Sequence, residues 1–564
     1  MSEKSDVTLE DIVSLCKRRG FIFQGSEVYG GLAGTWDYGP LGTTLKKNLM
    51  DLWWKTFVED RDDMVGVDAA ILMNPTTWKA SGHVDTFEDP VVECGNCGNR
   101  ERADHLIEQK KDLQEIKRVI KAKLDVFEEL EKKYYEDGDE ALPSQKKFTE
   151  TLLDKTKLVS SESTQKIIKS IIGDSRDEET IMPARLYLLL SDFFLDIFSM
   201  SVYLQNINCK VCGLSQWSEV GKFNMMFDTT AGPLGPLKRI PIPAIINRKT
   251  GKVTHYIQAG INNVFKSDEG LVYLRPETAQ GIFTNFKNVV DTLYPDVPFG
   301  IAQIGKAFRN EISPRDFVFR SREFNQMEIE YFIHEENWDQ LFEQWRLDIS
   351  KFLETAGVDS SKLHELEVEA DDLAHYSKRT IDYEFEYPHG KDELLGLAYR
   401  TDFDLQNIQR ESGKKMEYRP KEPGKKPFVP HVIEPSFGVE RLIMAVLVSA
   451  FKKDVQNGEE RIYLALPEHI APVRYCVSPL LKNKPELVDK AKELYEQLRA
   501  NGHAVMWDDN GNIGKRYRRQ DEIGTPECIV VDFDTLEDDT VTIRERDTTE
   551  QRRVKISELI TQSK

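Results

Sequence analysis

No stretch of this 564-residue chain is long and apolar enough to cross a bilayer, and its opening, MSEKSDVTLEDIVSLCKRRG, holds no continuous apolar segment of the signal-peptide kind. A membrane-embedded or exported protein is therefore not expected, and a cytoplasmic one is. Cysteine is scarce: there are seven, an odd number with four in two CxxC pairs, which fits a reducing compartment better than a disulfide scaffold. Positive charge is in deficit, with 76 Lys and Arg against 96 Asp and Glu for a net charge of -20. Indiscriminate binding to polyanions is thereby disfavoured, so any nucleic-acid partner has to be selected through a local basic patch. The length exceeds what one core sustains and suggests about three or four units.

Against that background stands FRNEISPRDFVFRSREFNQMEIEYF, residues 308–332, in which Arg309, Arg315, Arg320 and Arg322 are interleaved with Glu311, Glu323, Glu328 and Glu330. The spacing predicts a long antiparallel hairpin: one extended run holds Arg309 and Glu311, a turn falls at Ser313-Pro314-Arg315, and a second run returns from Phe317 to Phe332. Such a face suits a ligand of mixed charge, since arginine forks onto phosphate while a carboxylate accepts from an amine. A solvated strand pair with surface salt bridges is the alternative.

Along the chain, helices are predicted at the N-terminus, over Thr43 to Val58, near Glu336 to Ala356, over VERLIMAVLVSAF and over Pro485 to Asn501. The Lys- and Glu-dense stretch from Asp104 to Ile172 reads as a helical insertion, or simply as a solubilised helix face. Strand character dominates from Asn208 to His334 and returns in LLGLAYRTDFDL and VPHVIEPSFG. Beyond Leu466-Pro467, strands and helices alternate as in a small separate α/β domain.

Five ordered segments carry a resemblance: VYGGLAGTWDYGPLG (28–42), RPETAQGIF (275–283), the 308–330 stretch, GLAYRTDFDL (396–405) and EPSFGVERL (434–442). With them the chain resembles the class II aminoacyl-tRNA synthetases, most closely those of the homodimeric glycyl type. The resemblance implies an α+β fold with an antiparallel sheet core, helical insertions and a C-terminal α/β anticodon-binding domain. It divides the chain into core (1–93, 216–335 and 389–466), a CxxC-flanked insertion (94–215), a second insertion (336–388) and the anticodon-binding domain (467–564). The helix after Tyr38-Gly39-Pro40 matches the family's dimer motif, although it could equally be ordinary core. ATP with Mg²⁺, glycine and tRNA(Gly) are the implied ligands, with no membrane.

By the same resemblance, Arg309 and Arg441 are the catalytic cations, at the α-phosphate and on the γ-phosphate side. ATP contacts are expected from Arg309, Asn310, Glu311, Phe319, Arg320, Ser321, Arg322, Glu323, Phe324, Glu393, Leu394, Gly438, Val439, Glu440 and Arg441, with Glu393 as the Mg²⁺ ligand. Glu311, two residues from Arg309 and so on the same strand face, would accept from the adenine amino group and Phe324 would offer its ring. Glycine contacts fall on Arg102, Glu277, Phe324, Asn325, Gln326, Met327, Glu328, Glu434, Pro435, Ser436, Phe437 and Gly438. Glu277 and Glu328 would take the ammonium and Arg102 the carboxylate. A filled pocket would reject alanine through a clash worth about 1–3 kcal/mol. No His or Cys nucleophile is evident, and His83, His255 and His431 read as structural.

In the C-terminal region, Lys515, Arg516, Arg518 and Arg519 surround Tyr517, a pattern that fits phosphate contact with base stacking, or else a solvated helix start. Cys94-Gly-Asn-Cys97-Gly and Cys209-Lys-Val-Cys212-Gly are spaced as two knuckles for structural Zn²⁺, with a metal-free turn as the alternative. A synthetase for serine, threonine or proline, or a non-catalytic relative that binds nucleic acid, would share parts of these patterns. Retention of Arg309, Glu311, Arg320, Arg441, Glu277 and Glu328 argues against the last.

Overall fold

Period-two sequence builds one sheet of seven strands: β1 (Met64–Gly66), β2 (Phe299–Phe308), β3 (Glu323–Ile333), β4 (Leu363–Glu367), β5 (Arg379–Tyr387), β6 (Gly390–Thr401) and β7 (His431–Gly438). Their order across the sheet is β4-β5-β6-β7-β3-β2-β1, antiparallel throughout except for the β1–β2 edge. The computed structural model describes residues 7–103, 106, 207–231, 271–370, 373–374, 376–456 and 458–561. It forms two units, Met1–Phe87 with Met225–Lys564, and Glu88–Asn224. Apart from residue 106, the helical segment expected over 104–172 lies outside the described residues, as does His255.

Odd-numbered positions of β3 and β7 face a large apolar core. Met327, Ile329, Tyr331 and Phe437 pack there against α2 (Pro40–Trp54), α4 (Trp338–Thr355) and α5 (Val439–Ala450). Phe437 sits among the rings of Trp53, Phe57 and Phe352 at centroid distances of 6.1, 5.8 and 5.5 Å. The helix predicted from Thr43 begins earlier, because Pro40 supplies the preset φ of a first helical residue, and its last turn widens into a π-turn over Lys55–Glu59. Its start lies against the loop that follows α1 (Leu9–Arg19): a Cβ on Gly42 would stand 1.9 Å from the Phe21 carbonyl oxygen. On the opposite face, α3 (Ala279–Leu293) covers only part of the sheet, with Phe283 and Phe286 meeting Phe299 and Phe332. The rest of that face is the candidate site.

Two expectations change here. Residues 336–388, expected as an insertion, supply α4 and the two strands β4 and β5 that extend the sheet. The hairpin is also shorter than predicted, since β2 ends at Phe308 and β3 begins at Glu323, with a 3₁₀ turn at Phe317–Phe319 between them.

Beyond Leu464 the chain builds a five-stranded sheet of β8 (Tyr475–Pro479), β9 (Val505–Trp507), β10 (Glu527–Val531), β11 (Thr540–Glu545) and β12 (Gln551–Lys555). β9, β8 and β10 run parallel and the last two are antiparallel, with α6 (Pro485–Ala500) and α7 (Ile513–Ile523) as crossovers. The Glu88–Asn224 unit holds a three-stranded sheet of Glu88–Glu93, Arg100–Arg102 and Gly221–Asn224 over a small core of Val92, Ala103 and Leu106.

Candidate active site

The alternation of β3 turns Phe324, Gln326, Glu328 and Glu330 onto the face left open beside α3. Register places Ser436 of β7 opposite Glu328, and Gly396 and Ala398 of β6 next to Ser436 and Glu434, so the floor is lined with small residues. Ser436 Oγ donates to Glu328 at 2.8 Å, and Thr278 Oγ1 donates to the other Glu328 oxygen. Gln326 accepts from the Thr278 amide at 3.2 Å.

Around this floor the structure gathers buried carboxyls. Glu277 lies 3.2 Å from His83 Nε2, while its Oε1 is buried with no partner. Burial works to raise its pKa, but His83, Arg400 and Arg309 outweigh it and hold the carboxylate down to about 2. Glu434 is pushed up to about 8, by burial above all and then by Glu328, Glu277 and Asp404, although Arg400 opposes the rise. Glu328 is raised by burial and by Glu277. Glu330 is fully buried with neither oxygen partnered, and burial and Glu434 push it well above the carboxylate range. A buried guanidinium pairs within the cluster: Arg400 donates to Glu434 at 2.7 Å and to both oxygens of Asp404 at 2.9 and 3.0 Å, with its guanidinium 3.9 Å from the Tyr376 ring centroid.

The expected cations stand at the open end. Arg309 follows the end of β2, donates to the Pro276 carbonyl at 3.1 Å and lies 5.4 Å from the Phe324 ring centroid. Arg441, in the first turn of α5, pairs with Glu393 at 3.0 Å and lies 4.6 Å from the Phe319 ring centroid. Arg441 holds the Glu393 carboxylate below its ordinary range against burial, with Arg309 and Arg320 adding to the effect. Arg320 is 3.8 Å from Asp392, and its Nε is buried without a partner.

Several expected contacts do not face this space. Glu311 does not share a strand face with Arg309, because both lie in the connection beyond β2. Arg322 is turned to backbone carbonyls rather than toward Arg320. Ser321 Oγ is committed to the Val318 carbonyl at 2.9 Å, and Glu323 pairs with Lys306 at the surface. Leu394 and Val439 are core residues, and Phe319 is buried beneath Arg441. Glu440 accepts from Lys46 of α2 at 2.6 Å and from the Asn325 amide at 2.8 Å. Asn325 also accepts from Lys46, at 2.8 Å, while Met327, Pro435 and Phe437 alternate away from the floor. Asn310 donates its amide to Met225 at 2.7 Å, and Gly438 closes β7 at the foot of α5. Arg102 belongs to the Glu88–Asn224 unit, where it pairs with Asp89 at 2.8 Å.

Arg400, Asp404, Thr278, Glu330 and His83 are site residues the sequence reading missed as such. Arg400 was legible as a charge inside GLAYRTDFDL. Its direction was not, because the β6–β7 register shifts between Tyr399 and Thr401.

In the C-terminal sheet, Arg516 is buried and donates to the carbonyls of Pro479, Asp509 and Gly511, at 2.5, 3.1 and 2.9 Å, which makes it a structural residue. Arg519 is bound to Asp508 at 2.7 and 3.0 Å, and Arg518 lies 3.7 Å from Glu459. Lys515 is exposed in the first turn of α7.

In the Glu88–Asn224 unit, the Sγ atoms of Cys94, Cys97, Cys209 and Cys212 lie within 4.8 Å of one another, and the Cys94–Cys212 and Cys97–Cys209 pairs are each 3.6 Å apart. Tetrahedral thiolate ligands at about 2.3 Å from Zn²⁺ are roughly this far apart. The amide of Leu214 and the side chain of Asn96 pull the Cys212 thiol down to about 6, toward the thiolate that ligation needs.

Residues 264–450 match the family described as tRNA synthetase class II core domain (G, H, P, S and T), and residues 475–564 match an anticodon binding domain. A glycine–tRNA ligase of Deinococcus radiodurans is 40% identical over 580 residues, covering 98% of this chain and 97% of that protein. Those of Ureaplasma urealyticum and Clostridium acetobutylicum are 40% and 39% identical, covering 98% and 99% of this chain and 95% and 98% of theirs. Among solved structures, prolyl-tRNA synthetase of Giardia lamblia with prolyl-adenylate is similar in fold, with a TM-score of 0.53 at 12% identity over 98% of this chain and 77% of that one.

Proposed function

The chain belongs to the glycine–tRNA ligases of the class II aminoacyl-tRNA synthetases, and from that premise we propose how its residues activate glycine with ATP and pass it to tRNA. The reaction joins the glycine carboxylate to the α-phosphorus of ATP, expels pyrophosphate, and then transfers glycine from the adenylate to the 3′ end of tRNA(Gly). Charge builds on phosphoryl oxygens, so fixed cations are the main catalytic device and positioning is the second.

Arg309 takes the α-phosphate and the entering carboxylate, its guanidinium steered by the Pro276 carbonyl and the Phe324 ring. Arg441, supported on Phe319, takes the γ-phosphate side together with Arg320. The family uses ATP with Mg²⁺, and Glu393 is the carboxylate proposed to hold that ion. Phe324 and Glu311 receive the adenine.

The observation that carries the glycine reading is the unpartnered, buried Oε1 of the ionised, half-buried Glu277 over a floor of Gly396, Ala398 and Ser436. An ammonium completes that carboxylate's bonding, with Glu328 and Glu434 beside it, and the small floor suits a substrate without a side chain. His83, which bridges Ser81 Oγ at 2.8 Å and Glu277, keeps the carboxylate aimed. The tRNA side is assigned to the C-terminal sheet, with Lys515 as the exposed cation of its basic segment. A homodimer through α2, a cytoplasmic location and a structural Zn²⁺ on the four cysteines complete the reading. Glycine charging of bulk tRNA tests it: Glu277→Gln should raise the glycine KM about tenfold or more with the ATP KM unchanged, the cost of one charge-assisted bond. An unchanged glycine KM would remove Glu277 from the site.

A further inference from the structure

We infer that Arg322 is not a phosphate ligand but a positioning residue, a clasp that ties the Gly-rich segment 30–34 to the ATP-binding connection and fixes where Glu311 stands. The inference rests on the reading of Glu311 as the group that accepts from the adenine amino group.

Three guanidinium nitrogens of Arg322 are each placed on a protein carbonyl. Nε and one terminal nitrogen fork onto the Glu311 carbonyl at 3.3 and 3.2 Å, and the other terminal nitrogen donates to Ala33 at 3.2 Å. The backbone of the same residue continues the clasp, its amide donating to Gly34 at 2.7 Å and its carbonyl accepting from the Arg309 amide at 3.0 Å. The planar fork suits this task because two parallel bonds fix the orientation of one carbonyl, which an ammonium on a flexible stem cannot do. A phosphate would compete for donors already spent on the protein.

Gly34 makes the clasp reachable. Its φ is +75°, and an added Cβ would stand 2.5 Å from Pro314 Cβ and 3.2 Å from Arg322 Cγ, so the segment approaches the connection as closely as backbone allows. Between β2 and β3, residues 309–322 form no strand ladder with a neighbour, which leaves Glu311 held by these contacts and by its own amide on the Arg309 carbonyl at 2.8 Å. The Arg322 side chain thus sets the adenine acceptor Glu311 from the far side of the connection, while Arg309 is tied only to the Arg322 backbone, which a side-chain substitution leaves in place.

The consequence is a loss of base recognition when Arg322 is removed, not a loss of phosphate affinity. Equilibrium binding of ATP, adenosine and inosine, in which a carbonyl replaces the amino group, would be measured for the parent enzyme, Arg322→Ala, Arg322→Lys and Glu311→Ala. The clasp predicts that both Arg322 variants weaken ATP and adenosine by the same factor and cut the adenosine-over-inosine preference at least fivefold. It also predicts that Arg322→Ala combined with Glu311→Ala is no worse than Glu311→Ala alone. ATP weakened with adenosine unaffected, or lysine restoring ATP affinity, would make Arg322 a phosphate ligand and overturn the inference. A preference that collapses in Glu311→Ala but survives in Arg322→Ala overturns the clasp alone; one that survives in Glu311→Ala removes the adenine reading and the clasp with it.

Discussion

Arg309 and Glu434 show how differently single side chains act in the same site. In the proposed mechanism Arg309 meets charge that appears only as the α-phosphate is attacked, so Arg309→Ala should cut the rate of glycine-dependent pyrophosphate exchange by about a hundredfold or more, mainly in kcat. Glu434 acts through its proton. Burial raises it to about 8, so below that pH the empty site holds the acid neutral. A bound ammonium favours the carboxylate, and glycine binding there releases a proton. Glycine affinity should therefore fall as pH drops below about 8, by up to tenfold per pH unit for one proton, and Glu434→Gln should flatten the profile. For the empty protein the sign is the reverse: the raised pKa adds stability that is fully present below the ordinary carboxylate range and lost as pH rises through about 8. Thermal unfolding and glycine titration across pH 6–9 read the two effects separately.

At the level of elements, strand alternation explains both what the sequence revealed and what it hid. In β3 a period of two puts Gln326 and Glu328 on one face and turns Asn325 and Met327 away, a division that the resemblance, which offers all four as glycine contacts, does not make. In β6 the pairing with β5 shifts between Tyr383 and Glu384, an extra residue that lets Leu394 and Leu395 both enter the core and carries Glu393 round to Arg441. No pattern in DELLGL announces that bulge, because it is set by how β5 pairs. The charges in the connection after Phe308 alternate as in a strand, yet neighbouring backbone rather than propensity decides its path and β2 ends at Phe308. α2 offers a test of packing: Gly42→Ala drives a methyl into the Phe21 carbonyl and should cost roughly 1–3 kcal/mol, seen as a lowered Tm, with the ATP and glycine KM values of the folded enzyme unchanged.

For the whole molecule, resemblance carried the fold and the order of the parts, while the division of labour within them needed side-chain positions. The basic run after Gly511 looked like one surface, yet Arg516 and Arg519 hold their own domain together and Lys515 alone of the four is exposed. Lys515→Ala should raise the KM for tRNA severalfold without changing pyrophosphate exchange, whereas Arg516→Ala should lower domain stability by about 1–3 kcal/mol as buried carbonyls lose their donor. Metal analysis of the purified chain should find one Zn²⁺ per four-cysteine cluster. Removing it should render the Glu88–Asn224 unit protease-sensitive, since such small units gain their folding energy from the ion.

The central claim, that carboxyls around a floor of small residues select glycine for activation at Arg309, is tested most directly by ATP–pyrophosphate exchange with glycine, alanine, serine, threonine and proline in turn. Exchange that depends on glycine, with alanine and the larger amino acids at least a hundredfold lower in kcat/KM, is the predicted result. Exchange driven equally by alanine or serine, or none with glycine, would contradict it.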